Sequence, residues 1–355
     1  MIEKDDLRAA VGAGIVTEAQ AASLISLADS RRGARENLDP GDEPFELFKG
    51  FNEIFIVVGL AILATGWIGI VTFASIENAA SLRSVLIWSG GIGALVIWML
   101  SEYFIRRRRM VAPAIALSVL FTANAVYGFA GAVSELFMVA QGDSSSLPLP
   151  LAMATLALLA YWYRFKVPFA LALIALSVFG IAILSAGVGR GSIRSFEDLF
   201  LLSTGSVYGW ITMGLGLVVF GIAMAFDMSD PHRVTRRAAN GFWLHVVAAP
   251  ALVNFIALNL LENGTAPSNT LLLLFLAVIA MVAIVIDRRS FLIAAIGYIV
   301  ILSNTLFDGQ SAVFTVFVLG IFLVVLGARW ERIRARLLTG LPAFIPRDRL
   351  PPSTS

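Results

Sequence analysis

There is no cysteine anywhere in this chain. Disulfides, thiol nucleophiles and thiolate metal sites are therefore excluded, and the redox compartment leaves no mark on the sequence. Histidine is nearly as scarce, with two in 355 residues. Charged residues make up only 14% of the chain, against roughly a quarter of an average soluble protein. HExxH, a Walker loop and any Cys/His cluster are missing, which removes the usual signatures of hydrolytic zinc and of nucleotide binding. The glycine-rich "GVGRGS" at Gly187 to Ser192 joins two apolar runs and reads as a flexible loop. We accordingly expect no enzyme, no cofactor and no metal. The opening fifty residues hold no apolar run, so a cleaved signal peptide is not expected either.

Apolar residues account for 58% of the chain. They are gathered in runs long enough to cross a hydrocarbon core of roughly 30 Å, which takes about 20 residues. We read ten runs: 52–74, 82–105, 111–136, 148–163, 167–187, 199–226, 239–261, 269–286, 291–307 and 311–330. The predicted fold is an all-α polytopic membrane protein with about ten transmembrane helices. The basic residues then alternate. With the N-terminus in the cytoplasm, all of them but Arg83, Arg190 and Arg194 fall on the cytoplasmic side, from Arg106 to Arg109 through Arg164, Lys166, Arg233, Arg288 and Arg289 to the closing arginines. An even number of spans places both termini in the cytoplasm. The basic balance is thus an orientation signal, so the expected partner is the lipid bilayer and not nucleic acid. Ten spans also divide into two halves of five that would insert upside down relative to each other, as in many secondary transporters.

Three regions follow: 1–50 as a cytoplasmic helical pair, acidic linker and interfacial entry helix; 51–338 as the bundle; 339–355 as a cytoplasmic tail. In "GIVTEAQAASLISLADSRRG", Thr17 and Gln20 stand at capping-box spacing and Gly33 supplies a stop, which predicts a helix over about 18–32. Two short helices cannot bury a core of their own. Acidic residues outnumber basic ones through Lys49, so residues 1–50 are expected to dock on a cytoplasmic protein partner or on the chain's own basic loops.

The stretches "LRAAVGAGIVTEAQAASLI", "GFNEIFIVVGLAIL" and "LGIFLVVLGARWERIRARLL" resemble a group of uncharacterised bacterial multipass inner-membrane proteins. Members share a short N-terminal helical pair and a closing span that runs into an arginine-rich helix. The resemblance implies the bacterial inner membrane and adds no catalytic residue.

Polar groups inside spans are the remaining candidates, because an ionisable group in a bilayer is expensive to keep there. "ANGFWLHVVAAPALVNFIALNLL", Ala239 to Leu261, carries His245, Asn254 and Asn259 around Pro250. His245 and Asn259 share a helix face, Asn254 lies roughly opposite, and Pro250 frees the carbonyl of Val246. The third run adds Asn124 and Tyr127, with Glu135 at its outer, solvated edge; the ninth adds Asn304. Small residues at Ser89, Gly90, Gly93 and Ala94, and Gly205 with Gly209, mark close helix contacts. A serine–histidine dyad of Ser89 with His245 fails on depth: the two lie roughly 10 Å in from opposite faces.

Two readings stay open for His245. It staples neighbouring helices, or it couples protons, since an imidazole changes charge near neutrality. The leading expectation is a bacterial inner-membrane transporter of an unknown small molecule or ion, with Asn124, Tyr127, His245, Asn254, Asn259 and Asn304 around a midplane cavity. The alternative is a non-transporting scaffold or assembly factor acting through its N-terminal helices. A lipid-modifying enzyme ranks third, for want of an acid–base constellation.

Overall fold

The computed structural model of the chain describes residues 10–17, 20, 24, 27, 52–78, 81–187, 207–231, 233, 235–263, 265–288, 291, 310–342 and 349–351. The chain divides into two compact units, Met1–Pro44 and Phe45–Ser355. In the first, Thr17 and Gln20 form the expected capping box: Thr17 N–H donates to Gln20 Oε1 (2.9 Å) and Gln20 N–H to Thr17 Oγ1 (3.3 Å). Gly33 and the acidic linker lie outside the described residues.

The described residues of the second unit form helices joined by turns, with no strand among them. Its elements are α1 (Asn52–Glu77), α2 (Leu82–Ser101) with a π-helical continuation (Glu102–Arg107), α3 (Ala112–Val133), the short α4 (Leu136–Ala140), α5 (Pro148–Phe165), α6 (Pro168–Gly187), α7 (Val207–Ser229), α8 (Arg236–Asn263), α9 (Ala266–Val285) and α10 (Gln310–Gly340). Seven of them are long and apolar enough to cross a membrane: α1, α2 with its continuation, α3, α6, α7, α8 and α9. α5 and α10 cover the fourth and tenth runs without belonging to that seven. The ninth run lies outside the described residues apart from Phe291, as do the start of the sixth and the GVGRGS loop after Gly187.

Helix ends follow local chemistry. Proline opens α3, α5 and α9 within the first two positions, where its missing N–H costs nothing. The described non-glycine residues with positive φ are Arg109, Lys166, Arg233 and Asp287, each just past the end of a helical segment. At Lys166 (φ 52°) the left-handed turn lets its N–H reach Trp162 O at 2.7 Å, and α6 begins two residues later. α5 and α6 therefore form a tight hairpin. Arg83 closes α3 from outside, donating to Ala132 O (2.9 Å) and Ser134 O (3.0 Å). That is a structural task for one of the three arginines that break the charge alternation.

The buried residues form a sequence of contiguous clusters. Leu117, Phe121, Leu158, Tyr161 and Phe165 centre the first, with the Trp98 ring edge-on to Tyr161 (5.9 Å) and Phe165 (5.1 Å). α6 joins this cluster through Ala170 and the next through Ala172, Ala175 and Phe179, which pack with Val219, Ala223, Leu244 and Ala248 of α7 and α8. α8 then packs with α9 through Ala249, Val253, Ala257, Leu272 and Leu276. Backbone contact between α2 and α3 requires glycine: a Cβ on Gly90 would lie 2.4 Å from Gly128 Cα.

Candidate functional site

α7 and α8 are antiparallel neighbours joined by residues 230–235, so the last turns of α7 pack beside the first turns of α8. Asp227, two residues before the end of α7, meets His245, ten positions into α8. His245 Nε2 and Asp227 Oδ2 are 3.0 Å apart. Gly241, one turn before His245, makes the approach possible: a Cβ there would lie 2.2 Å from Asp227 Oδ1. Arg288, just beyond α9, closes the group. Its Nε donates to Asp227 Oδ2 at 2.9 Å and its Nη2 to Asp227 Oδ1, a two-pronged fork onto the carboxylate, and Nη2 also donates to Ala238 O at 2.9 Å. Asp227 is 4% exposed, His245 0% and Arg288 6%.

The walls are aromatic. The rings of Phe220 and Phe291 stand edge-on to the imidazole at 5.5 and 5.7 Å, and the Arg288 guanidinium lies 6.0 Å from the Phe242 ring centre. In this surrounding Asp227 and Arg288 compensate each other's charge, which a buried ion requires. With Asp227 a carboxylate, the imidazole proton between them sits on His245 Nε2, an assignment from chemistry. His245 Nδ1 is buried without a hydrogen-bond partner among the described residues. In this tautomer Nδ1 carries a free lone pair, the position at which the imidazole would take up a proton.

A second tier ties the triad to α10. Arg233 Nη1 pairs with Asp287 Oδ2 (2.8 Å), and its Nη2 donates to Asp287 O (2.8 Å) and Ile286 O (3.2 Å). Trp330 Nε1, on α10, donates to Asp287 Oδ1 at 2.8 Å. Burial, then the positive charge of Arg288, hold the Arg233 pKa below its ordinary value. Arg334 is 1% exposed and donates to Pro351 O and to Val285 O (3.5 Å). Two arginines that read as loop markers of orientation, Arg288 and Arg334, are thus buried structural cations.

The other candidates lie elsewhere. Asn124 of α3 accepts from Trp67 Nε1 of α1 (3.2 Å) and donates to Leu120 O (2.8 Å), and Gly93 of α2 leaves it room. Trp67, Gly93 and Asn124 line a mostly apolar cavity of about 250 Å³ among α1, α2 and α3. Tyr127 is 44% exposed. Asn254 is half-buried on α8. Asn259 donates to Phe255 O of its own helix (2.8 Å). Asn304 lies outside the described residues. Asn124 and His245 therefore belong to different helix groups, one on α1–α3 and the other on α7–α9. Ser89 Oγ donates to Leu86 O within α2 (3.3 Å), while His245 engages Asp227. Glu135 is exposed, in keeping with a solvated edge.

Sequence reasoning found His245 and missed its partner Asp227, along with the Arg288 that pairs with Asp227. Asp227 lies one residue past the sixth apolar run and was not singled out, and Arg288 read as an orientation signal. The available signal was the short connection between two consecutive apolar runs, which brings the end of α7 beside the start of α8. No family model, no curated protein and no solved structure matches this chain.

Proposed function

We propose that this chain is a proton-coupled transporter of a small molecule or ion in the bacterial inner membrane, with His245 as the proton carrier and Asp227 and Arg288 as the groups that hold and respond to it. The observation that carries this reading is the imidazole buried on Asp227 with Nδ1 unpartnered. An ionisable triad at the ends of apolar helices is expensive to bury, and proton relays are among the roles such groups serve. Protonation of His245 would set a second cation beside Arg288 with one carboxylate between them. That shifts the balance among α7, α8 and α9, each of which contributes to or borders the triad. The arrangement described is then the closed one, and the working cycle includes a state in which water or substrate reaches Nδ1.

In this reading the spans number ten, with both termini cytoplasmic, and the chain belongs with the multipass bacterial proteins its ends resemble. Residues 1–50 serve as a cytoplasmic docking piece. The scaffold reading keeps that piece as the working part and makes the triad a staple.

The test uses proteoliposomes containing a pH-sensitive dye, challenged with pools of amino acids, sugars and inorganic ions. Wild-type protein is expected to shift internal pH with at least one pool, and His245→Gln to abolish the shift while inserting and folding normally. An equal shift in both proteins removes His245 from the mechanism. No shift with either protein favours the scaffold.

A further inference from the structure

We propose that the end of α2 is a binding site for the phosphate headgroup of an anionic phospholipid. The proposal concerns a different helix group from the Asp227 triad and does not depend on transport. It starts from the π-helical turn Glu102–Arg107, in which Arg108 N–H reaches back five residues to Tyr103 O (3.0 Å). Such turns are rare, and they concentrate at functional sites. Here the widened turn arranges Met99, Glu102, Tyr103, Arg106 and Arg107 around an open cavity of about 500 Å³, the size of a small-ligand site.

Arg106, Arg107, Arg108 and Arg109 follow one another, with Arg164 and Lys166 at the end of the neighbouring α5, while among the described residues Glu102 and the buried Glu53 are the carboxylates of this end. Glu53 is committed to the start of α3, accepting from Ala112 N–H at 3.2 Å. Glu102 bridges two cations, Arg164 at 2.8 Å and Arg106 at 3.1 Å, and so holds together guanidinium groups that would repel each other. Arg107 is exposed and has no partner among the described residues. Arg108 is steered by Tyr103, donating to its hydroxyl through Nε (3.2 Å) and Nη2 (3.1 Å). Among the described residues, guanidinium donors outnumber carboxylates here, the arrangement that suits a phosphodiester.

A soluble anion would use only that rim. The lining continues into Met99, 61% exposed, and the same helix then exposes Leu95 and Val96. Tyr103 and Tyr163, 41% and 74% exposed, stand at the level where aromatic rings meet headgroups. A charged rim above an apolar wall fits a headgroup with its acyl chains, as basic pockets at the cytoplasmic side of helix bundles do.

The experiment follows thermal unfolding of the full chain in neutral detergent, supplemented with phosphatidylglycerol, phosphatidylcholine or inorganic phosphate at equal concentration. Native mass spectrometry reads the lipid retained. Phosphatidylglycerol is expected to raise Tm by several degrees and to remain bound, with little effect from the other two. Arg107→Gln, which breaks no contact, should reduce the shift and the retained lipid at least by half, and Arg106→Gln/Arg107→Gln should abolish both. Arg329→Gln/Arg332→Gln, on exposed positions of α10, should keep them. An equal shift with inorganic phosphate would overturn the lipid in favour of a free anion. An equal shift with phosphatidylcholine, or a full shift in Arg107→Gln, would overturn the site.

Discussion

At the scale of single residues, the account rests on Asp227. It accepts both prongs of Arg288 and faces His245 Nε2. Asp227→Asn leaves the Arg288 cation buried without its counter-charge, a situation that costs about 3–5 kcal/mol. We expect a large fall in unfolding temperature, measurable in detergent. Asp227→Leu combined with Arg288→Met should be milder than Asp227→Asn alone, because removing both charges leaves no orphan. His245→Gln should change stability by only about 1 kcal/mol, since an amide replaces much of the ring's hydrogen bonding. If Asp227→Asn proves as harmless as His245→Gln, the triad is not held as described. Among these residues only His245 was legible beforehand. A histidine within an apolar run announces itself, whereas an aspartate in the last turn of a run and an arginine beyond one look like solvated charges until the helices are paired.

At the scale of elements, helix contacts were more legible than helix ends. Ser89, Gly90 and Gly93 were read as packing residues, and each is buried on α2. Gly90→Ala should drive α2 and α3 apart and cost about 1–3 kcal/mol, as overpacking does, whereas Gly91→Ala, which meets nothing within 4 Å, should be nearly silent. Unfolding of the two variants side by side checks this. The π-turn after α2 left no trace in the sequence, and neither did the pairing of its Glu102 with Arg164, 62 positions away. Arg83 is similar: its charge broke the alternation for a reason found only in the carbonyls at the end of α3. Arg83→Ala should fray that end and accelerate hydrogen exchange at Gly131 to Val133.

At the scale of the whole molecule, the apolar runs located the helices because a bilayer-spanning segment is set by length and composition alone. Positions such as 52–74 and 239–261 became Asn52–Glu77 and Arg236–Asn263, with ends displaced by a few residues. The relation between groups was not legible, so Asn124 and His245 were drawn to one cavity although their contacts lie on different helices. Reporter fusions after Arg109, Arg237 and Arg289 should read cytoplasmic, and after Gln141, Gly264 and Gly309 periplasmic; one inverted loop would break the ten-span reading. The central claim, that His245 is reached by water in a working state, has a direct test because the chain contains no cysteine. Ala249, fully buried one turn beyond His245, is replaced by cysteine and exposed in proteoliposomes to a membrane-impermeant thiol reagent across pH 5 to 8. The account predicts labelling that changes with pH near the ordinary imidazole range and loses that dependence in His245→Gln. No labelling at any pH, or the same pH profile in both proteins, would contradict it.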